Sequence, residues 1–219
     1  MTRTLSHADA RRVYDRIGSF QDSQAFYEDR TTGELIEHGS FERATRVFEF
    51  GCGTGRFAES LLTKRLGPAA TYRGIDLSPT MVGLANRRLA RFAPRAEVVL
   101  CEGGPPVLEP AAVYDRWVSN FVLDLLSDPE IDAVLEQAHR MLAPDGLLCL
   151  ASLSTGRTWY AQATARLWQG IHTLSPELVG GCRPIDLISR LSANRWRIVH
   201  HRSLAPFLIP SDAIVAIRI

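Results

Sequence analysis

The chain has 219 residues, 46% of them hydrophobic, and its 25 basic and 24 acidic side chains leave a net charge of +1. That length suits one domain with a full core, and the even charge balance gives no electrostatic reason to expect a nucleic-acid partner. No apolar run approaches membrane-spanning length, and the start, MTRTLSHADARR, lacks the apolar segment of a signal peptide. Cys52, Cys101, Cys149 and Cys182 are scattered without a Cys-x-x-Cys pair. They read as reduced thiols of a cytoplasmic protein, with neither a disulfide frame nor a metal site expected. Lys64 is the sole lysine, so Schiff-base chemistry has no other candidate.

Residues 1–45 read as a helical cap. Ser6 and Asp9 make a capping pair for a helix that carries Val13, Tyr14 and Ile17 on one face. A second short helix is predicted after Asp22 or Ser23, with Phe26 and Tyr27, and a third with Leu35 and Ile36, ending at Gly39.

The most informative stretch is FEFGCGTGRF, Phe48 to Phe57. An apolar strand, Arg46 to Phe50, runs into a loop with glycine at alternate positions: Gly51, Cys52, Gly53, Thr54, Gly55. Phe57, Leu61, Leu62 and Leu66 then fall at helical spacing. A strand, a glycine loop and a helix N-terminus together form a place to hold an anionic group. A dinucleotide fingerprint, GxGxxG, would need its third glycine where Arg56 stands. A second strand through Tyr72, Gly74 and Ile75 ends in Asp76. That acid sits at the tip of the neighbouring strand of a βαβ unit, where it can accept from both hydroxyls of a ribose. Ser78 and Pro79 read as N-cap and first turn of a helix through Met81, Leu84, Ala85 and Leu89.

These blocks resemble the class I S-adenosylmethionine-dependent methyltransferases. Glu49, Gly51, Gly53 and Gly55 match the family's first motif, E/D-x-G-x-G-x-G, and Asp76, Leu77, Ser78 and Met81 match its second. Glu97 to Cys101 is a third strand followed by Glu102 and Gly103, where many relatives carry glycine then aspartate near the adenine. Tyr114 to Ser119 is a fourth strand, with Asn120 and Phe121 at its mouth. HRMLAPDGLLCLAS, His139 to Ser152, is similar to the family's R-x-L-x-P-G-G block: a helix end, a Pro–Asp–Gly turn and a fifth strand. The resemblance implies that residues 46–153 bind S-adenosylmethionine. Loop amides would take its carboxylate, and Glu49 would suit its ammonium. It also implies an α/β, Rossmann-like sheet of seven strands in the order 3-2-1-4-5-7-6, the seventh antiparallel.

Residues 154–194 read as a helical insert or lid. Trp159, Tyr160, Ala163, Leu167, Trp168, Ile171 and Leu174 make one helix face. Gly180 and Gly181 break it, and Pro184 is expected to open another helix, with Leu187, Ile188 and Leu191, that stops at Asn194. Trp196 to His200 and Ala213 to Ile219 are two closing strands in residues 195–219; with no helix between them they favour an antiparallel pair.

In relatives of this size the N-terminal helices and the insert form the acceptor pocket. Their aromatic residues suit a small, partly apolar acceptor. Tyr14 and His172 are the candidates for touching it, each with a polar atom that can orient or deprotonate a nucleophile. His139 near a helix end answers the helix dipole, and adjacent His200 and His201 face opposite sides of a strand. SNFVLD lacks the proline pair of nucleobase amino-methylating enzymes, and Asp115 comes too early for the metal-dependent catechol type. The competing readings are a catalytically silent partner subunit and a nicotinamide-dependent enzyme.

Overall fold

The computed structural model describes residues 4–106 and 109–219. Met1 to Arg3, part of the N-terminal segment read above, lie outside the described residues. Seven strands form one sheet: β1 (Arg46–Phe50), β2 (Thr71–Asp76), β3 (Ala96–Leu100), β4 (Tyr114–Asn120), β5 (Leu142–Leu153), β6 (Trp196–Leu204) and β7 (Ser211–Arg218). Their order is β3-β2-β1-β4-β5-β7-β6. β1 to β5 pair in parallel, while β7 runs antiparallel to both β5 and β6. This is the fold and strand order that the sequence resemblance implied.

β1 is covered on both faces, as a central parallel strand must be. Val47 packs with Leu35, Leu61, Ala85 and Val118 on one side, and Phe48 and Phe50 pack with Trp117, Ile131 and Val134 on the other. Among the described residues, α1 (His7–Ile17) packs on a later helix, α4 (Pro79–Leu89), while α2 (Ala25–His38), α3 (Arg56–Lys64), α4 and α5 (Asp128–Met141) supply these layers and α6 (Trp159–Leu174) adds Trp168 to them. Their starts follow local chemistry. The Ser6 hydroxyl accepts from Asp9 N and donates to the Asp9 carboxylate, Ser78 Oγ accepts from Met81 N, and Ser127 with Glu130 closes a capping box.

Three elements depart from the sequence reading. The two short helices expected between Asp22 and Gly39 are one continuous helix, α2. Packing on β7 overrides the local cost of Gly33: Leu35 is fully buried, and the Thr31 and Ser211 hydroxyls pair at 2.6 Å. Pro184 opens no helix. Ile185 instead bridges Ser154 and donates its N–H to Leu153 O, and only a short turn, Ile188–Arg190, follows. Ile185, Leu187 and Leu191 are drawn into the core in this extended form, so Asn194 lies in a turn closed by Trp196 N on Ser192 O. The Pro–Asp–Gly turn is absorbed into β5, with Asp145 at φ 60° and a register shift against β4. Among the described residues no helix is long and apolar enough to cross a membrane.

Candidate active site

The carboxyl ends of β1, β2 and β4 converge on a cavity of about 550 Å³, within the usual size of a small-molecule site. The glycine loop forms its floor, and each glycine has a different task. A Cβ on Gly51 would lie 2.4 Å from Val122, so the loop can pass there only without a side chain. Gly53, at φ 52°, has nothing within 4 Å of its Cβ position and faces the cavity. Gly55 is the left-handed N-cap of α3, and Ala85 of α4 packs against it.

Most loop amides are already committed. Gly51 N and Cys52 N both donate to Ile75 O, Gly55 N donates to Cys52 O, and Gly53 N donates to Asp76. Among the loop amides Thr54 N–H makes no such bond, so the donors left for an anion are that amide and the first-turn N–H groups of α3, whose cap Gly55 brings no side chain. The loop is tied down from outside. Arg88 donates to Thr54 O, Thr54 Oγ1 and Asp22, and Thr54 Oγ1 donates to Asp22 at 2.5 Å.

Two carboxyls dominate the site. Asp76 accepts from Gly53 N and Ser78 N, each at 2.9 Å, one on each oxygen. A carboxylate has about four acceptor positions, so each oxygen keeps one toward the cavity. Burial raises the Asp76 pKa, and the amides of Ser78, Gly53 and Leu77 partly offset that rise. Glu49 is buried and accepts from Tyr72 Oη at 2.6 Å and from Asn120 Nδ2 at 3.0 Å; burial pushes its pKa up to about 7. Because Glu49 fixes the amide nitrogen of Asn120, Asn120 Oδ1 is left buried without a partner beside the cavity. A buried orphan acceptor is costly and suits a ligand N–H such as an ammonium. Phe121 lines the same wall at φ 54°, a strained conformation for a bulky residue, and sets its ring edge-on against Tyr27.

The structure brings Tyr14, Glu49, Gly51, Cys52, Gly53, Thr54, Asp76, Leu77, Met81, Asn120 and Phe121 to this cavity. It leaves five other expected residues off the wall. Ser78 is spent on the α4 cap and on Asp15. Gly55 lies beneath α4. Glu102 is exposed, and Gly103 is covered by the His7 ring, 2.9 Å from where a Cβ would stand. His172 is buried at the far end of α6 with Nε2 at 3.2 Å from Gly181 O, and burial lowers its pKa. It does not reach the acceptor space. Tyr14 lines the cavity with its hydroxyl donating to Gly180 O at 3.5 Å, and burial raises its pKa, which makes it a poor base.

Residues 47–146 match the model of a methyltransferase domain family. A malonyl-[acyl-carrier protein] O-methyltransferase of Laribacter hongkongensis is 33% identical over 155 residues, covering 65% of this chain and 50% of the relative. A trans-aconitate 2-methyltransferase of Methylobacterium nodulans is 33% identical over 195 residues, covering 88% of this chain and 67% of the relative. The chain belongs to the class I S-adenosylmethionine-dependent methyltransferase family. The chain spans half the length or less of the first curated relatives it matches. Among solved structures, the [4+2]-cyclase SpnF shares the fold with a TM-score of 0.75 at 14% identity, covering 98% of this chain and 97% of that one.

The residues present fit the cofactor of this methyltransferase family. Asp76 keeps acceptor positions for a ribose diol, Leu77 and Met81 give an apolar bed, and the Asn120 Oδ1 orphan waits for a donor. The sequence reading missed the wall that α2 supplies. Glu28, Thr32 and Ile36 repeat at four-residue spacing and all line the cavity. Burial pushes the Glu28 pKa up to about 7, against the lowering pull of Arg56 and Tyr27. The helical spacing was a usable signal, but treating residues 22–39 as two short helices broke it.

Proposed function

We propose that this chain transfers the methyl group of S-adenosylmethionine to a small, partly apolar acceptor that loses a proton on methylation. The observation that carries this reading is a cavity that joins Asp76 and Asn120 to the half-buried carboxyl of Glu28 on α2. When bound, the cofactor supplies a methyl group on a cationic sulfur, which is already a good electrophile.

The chain's own residues then have three tasks. Asp76, Asn120 and the α3 N-terminus hold the cofactor's polar ends. Tyr14, Thr32, Ile36 and Phe121 orient the acceptor and exclude water; orientation of this kind contributes roughly 7–11 kcal/mol to a displacement. Glu28 lines the cavity with its carboxyl 3.6 Å from Arg56 and accepts the proton of a hydroxyl or amine nucleophile; burial, which pushes its pKa up to about 7, suits it to general-base work. The two relatives named above are called after malonyl-[acyl-carrier protein] and trans-aconitate. Here Glu28 and Asp29 pair with Arg56 and Asp22 pairs with Arg88, while Lys64 and Arg91 also line the cavity, so its acidic and basic groups are balanced.

The test uses cofactor carrying an isotopically labelled methyl group and a panel of small phenols, alcohols, amines and carboxylic acids. Label is expected in a phenol, alcohol or amine product, together with S-adenosylhomocysteine. The fold alone also hosts a cyclase, so cofactor binding without label transfer to any class would overturn the reading in favour of a silent or differently reactive relative.

A further inference from the structure

The apolar residues of α6 divide between two sides of the helix. Ala161, Ala165, Trp168 and His172 turn inward; Trp168 packs on the core and its Nε1 donates to Cys182 O at 2.9 Å. On the opposite side Tyr160, Ala163, Leu167, Gly170 and Leu174 all face solvent. Their steps alternate between three and four residues, the a/d repeat of a helix seam that packs on another helix. Leu167, Leu174 and, in the turn Pro176–Val179 that follows, Leu178 are 67, 84 and 77% exposed. A contiguous apolar stripe of this kind marks an interaction surface. Gly170 points the same way. A glycine inside a helix costs stability relative to alanine, yet a Cβ at Gly170 would meet nothing within 4 Å. Packing among the described residues does not require that glycine; close approach of a second backbone does.

We infer that the outer face of α6 is a self-association surface, on which two copies of this chain meet with their α6 helices antiparallel about a two-fold axis. A two-fold interface uses the same patch on both copies. The stripe meets that condition: its order of large, small, large, small, large reads alike in both directions. An antiparallel copy can therefore set its large side chains over the small ones of the first. The charges select the direction. Arg157 stands exposed just before α6, and Glu177 stands exposed just after it. Each is at the unfavourable end of its own helix dipole and comes to the favourable end of the other copy's. Antiparallel packing brings Arg157 of one copy toward Glu177 of the other at both ends, whereas parallel packing sets like charges together. Arg166 flanks the middle of the stripe and has a long stem that carries its head to water. An anionic lipid surface would suit the arginines but repel Glu177, so a second copy fits the whole face better. The inner side of α6 holds Gly181 O through His172 Nε2 at 3.2 Å, beside the Gly180 O that accepts from Tyr14. Association on the outer side thus braces the segment behind one cavity residue.

The test is sedimentation equilibrium of the tag-free full chain over a concentration series. A reversible monomer–dimer equilibrium is expected. Leu167→Glu, at an exposed position that keeps the fold, should raise the dimer dissociation constant at least ten-fold with an unchanged melting temperature at monomeric concentrations. Arg157→Glu should weaken the dimer at least three-fold, and adding Glu177→Arg should bring it back to the parent's affinity. A monomer at every concentration would overturn the inference, as would a dimer that Leu167→Glu leaves intact. A double charge variant no tighter than Arg157→Glu alone would overturn the antiparallel arrangement. A monomer that instead sediments with anionic phospholipid vesicles would overturn the inference in favour of a lipid surface. None of these readouts depends on methyl transfer.

Discussion

Replacing Asp76 tests the cofactor site most directly, because its two jobs have separable magnitudes. Its oxygens hold Gly53 N and Ser78 N at 2.9 Å. Asp76→Ala strands both donors, at about 1–3 kcal/mol each when buried. Ser78 is fully buried, whereas Gly53 is partly open to the cavity, so the loss of stability should be about 2–4 kcal/mol. The same change removes two charge-assisted bonds to a ribose diol, about 1.5–3 kcal/mol each. At 1.4 kcal/mol per decade, that weakens S-adenosylmethionine by at least ~100-fold. Asp76→Asn retains one carbonyl oxygen for an amide and should fall between. Calorimetric titration gives the affinities, and urea unfolding gives the stabilities. Burial raises the Asp76 pKa, so affinity should also weaken as the pH falls and the carboxylate protonates. A folded Asp76→Ala protein that binds the cofactor within three-fold of the parent would refute this assignment.

Gly53→Val places a branched side chain in open cavity space at φ 52°; cofactor affinity should drop at least ten-fold while stability falls by only about 1–2 kcal/mol, and normal binding would mean the loop does not hold the ligand. Glu28→Gln should cut single-turnover transfer by about 100-fold or more with little change in cofactor affinity. In the parent that rate should rise with pH through about 7 as Glu28 loses its proton, and a rising limb that survives in the variant would assign the base elsewhere. Asp124 is fully buried, with Oδ2 accepting from Leu153 N, Oδ1 unpartnered and a pKa pushed up to about 7 by burial. A carboxyl whose folded pKa is raised costs stability as the pH climbs from its unfolded pKa toward the folded one. Stability should therefore decline between about pH 4 and pH 7. Asp124→Asn should remove that decline and gain about 1–3 kcal/mol at pH 8; an unchanged pH profile in urea unfolding would contradict the account.

The sequence by itself determined the strands and the cofactor side of the site, since both are encoded locally, while the order of the strands came from the family resemblance. Strand β1, the alternate glycines and the start of α3 are contiguous, and Ser78–Pro79 and Ser127–Glu130 announce their helices through bonds spanning three residues. Asp76 is placed by the end of its own strand. Tertiary structure decided what depends on distant packing. α2 is continuous because β7 buries Leu35 and pairs with Thr31. The segment after Pro184 stays extended because the core accepts Ile185, Leu187 and Leu191 in that form. The amides of Gly51, Cys52 and Gly53 are taken by Ile75 and Asp76, which no spacing in the sequence reports. Glu102 and His172 carry plausible chemistry in sequence but are turned away by solvent exposure and by helix packing. Glu28, silent in the sequence, acquires its chemistry only when α2 docks on the sheet, because burial and the approach of remote residues set both its pKa and its possible partners.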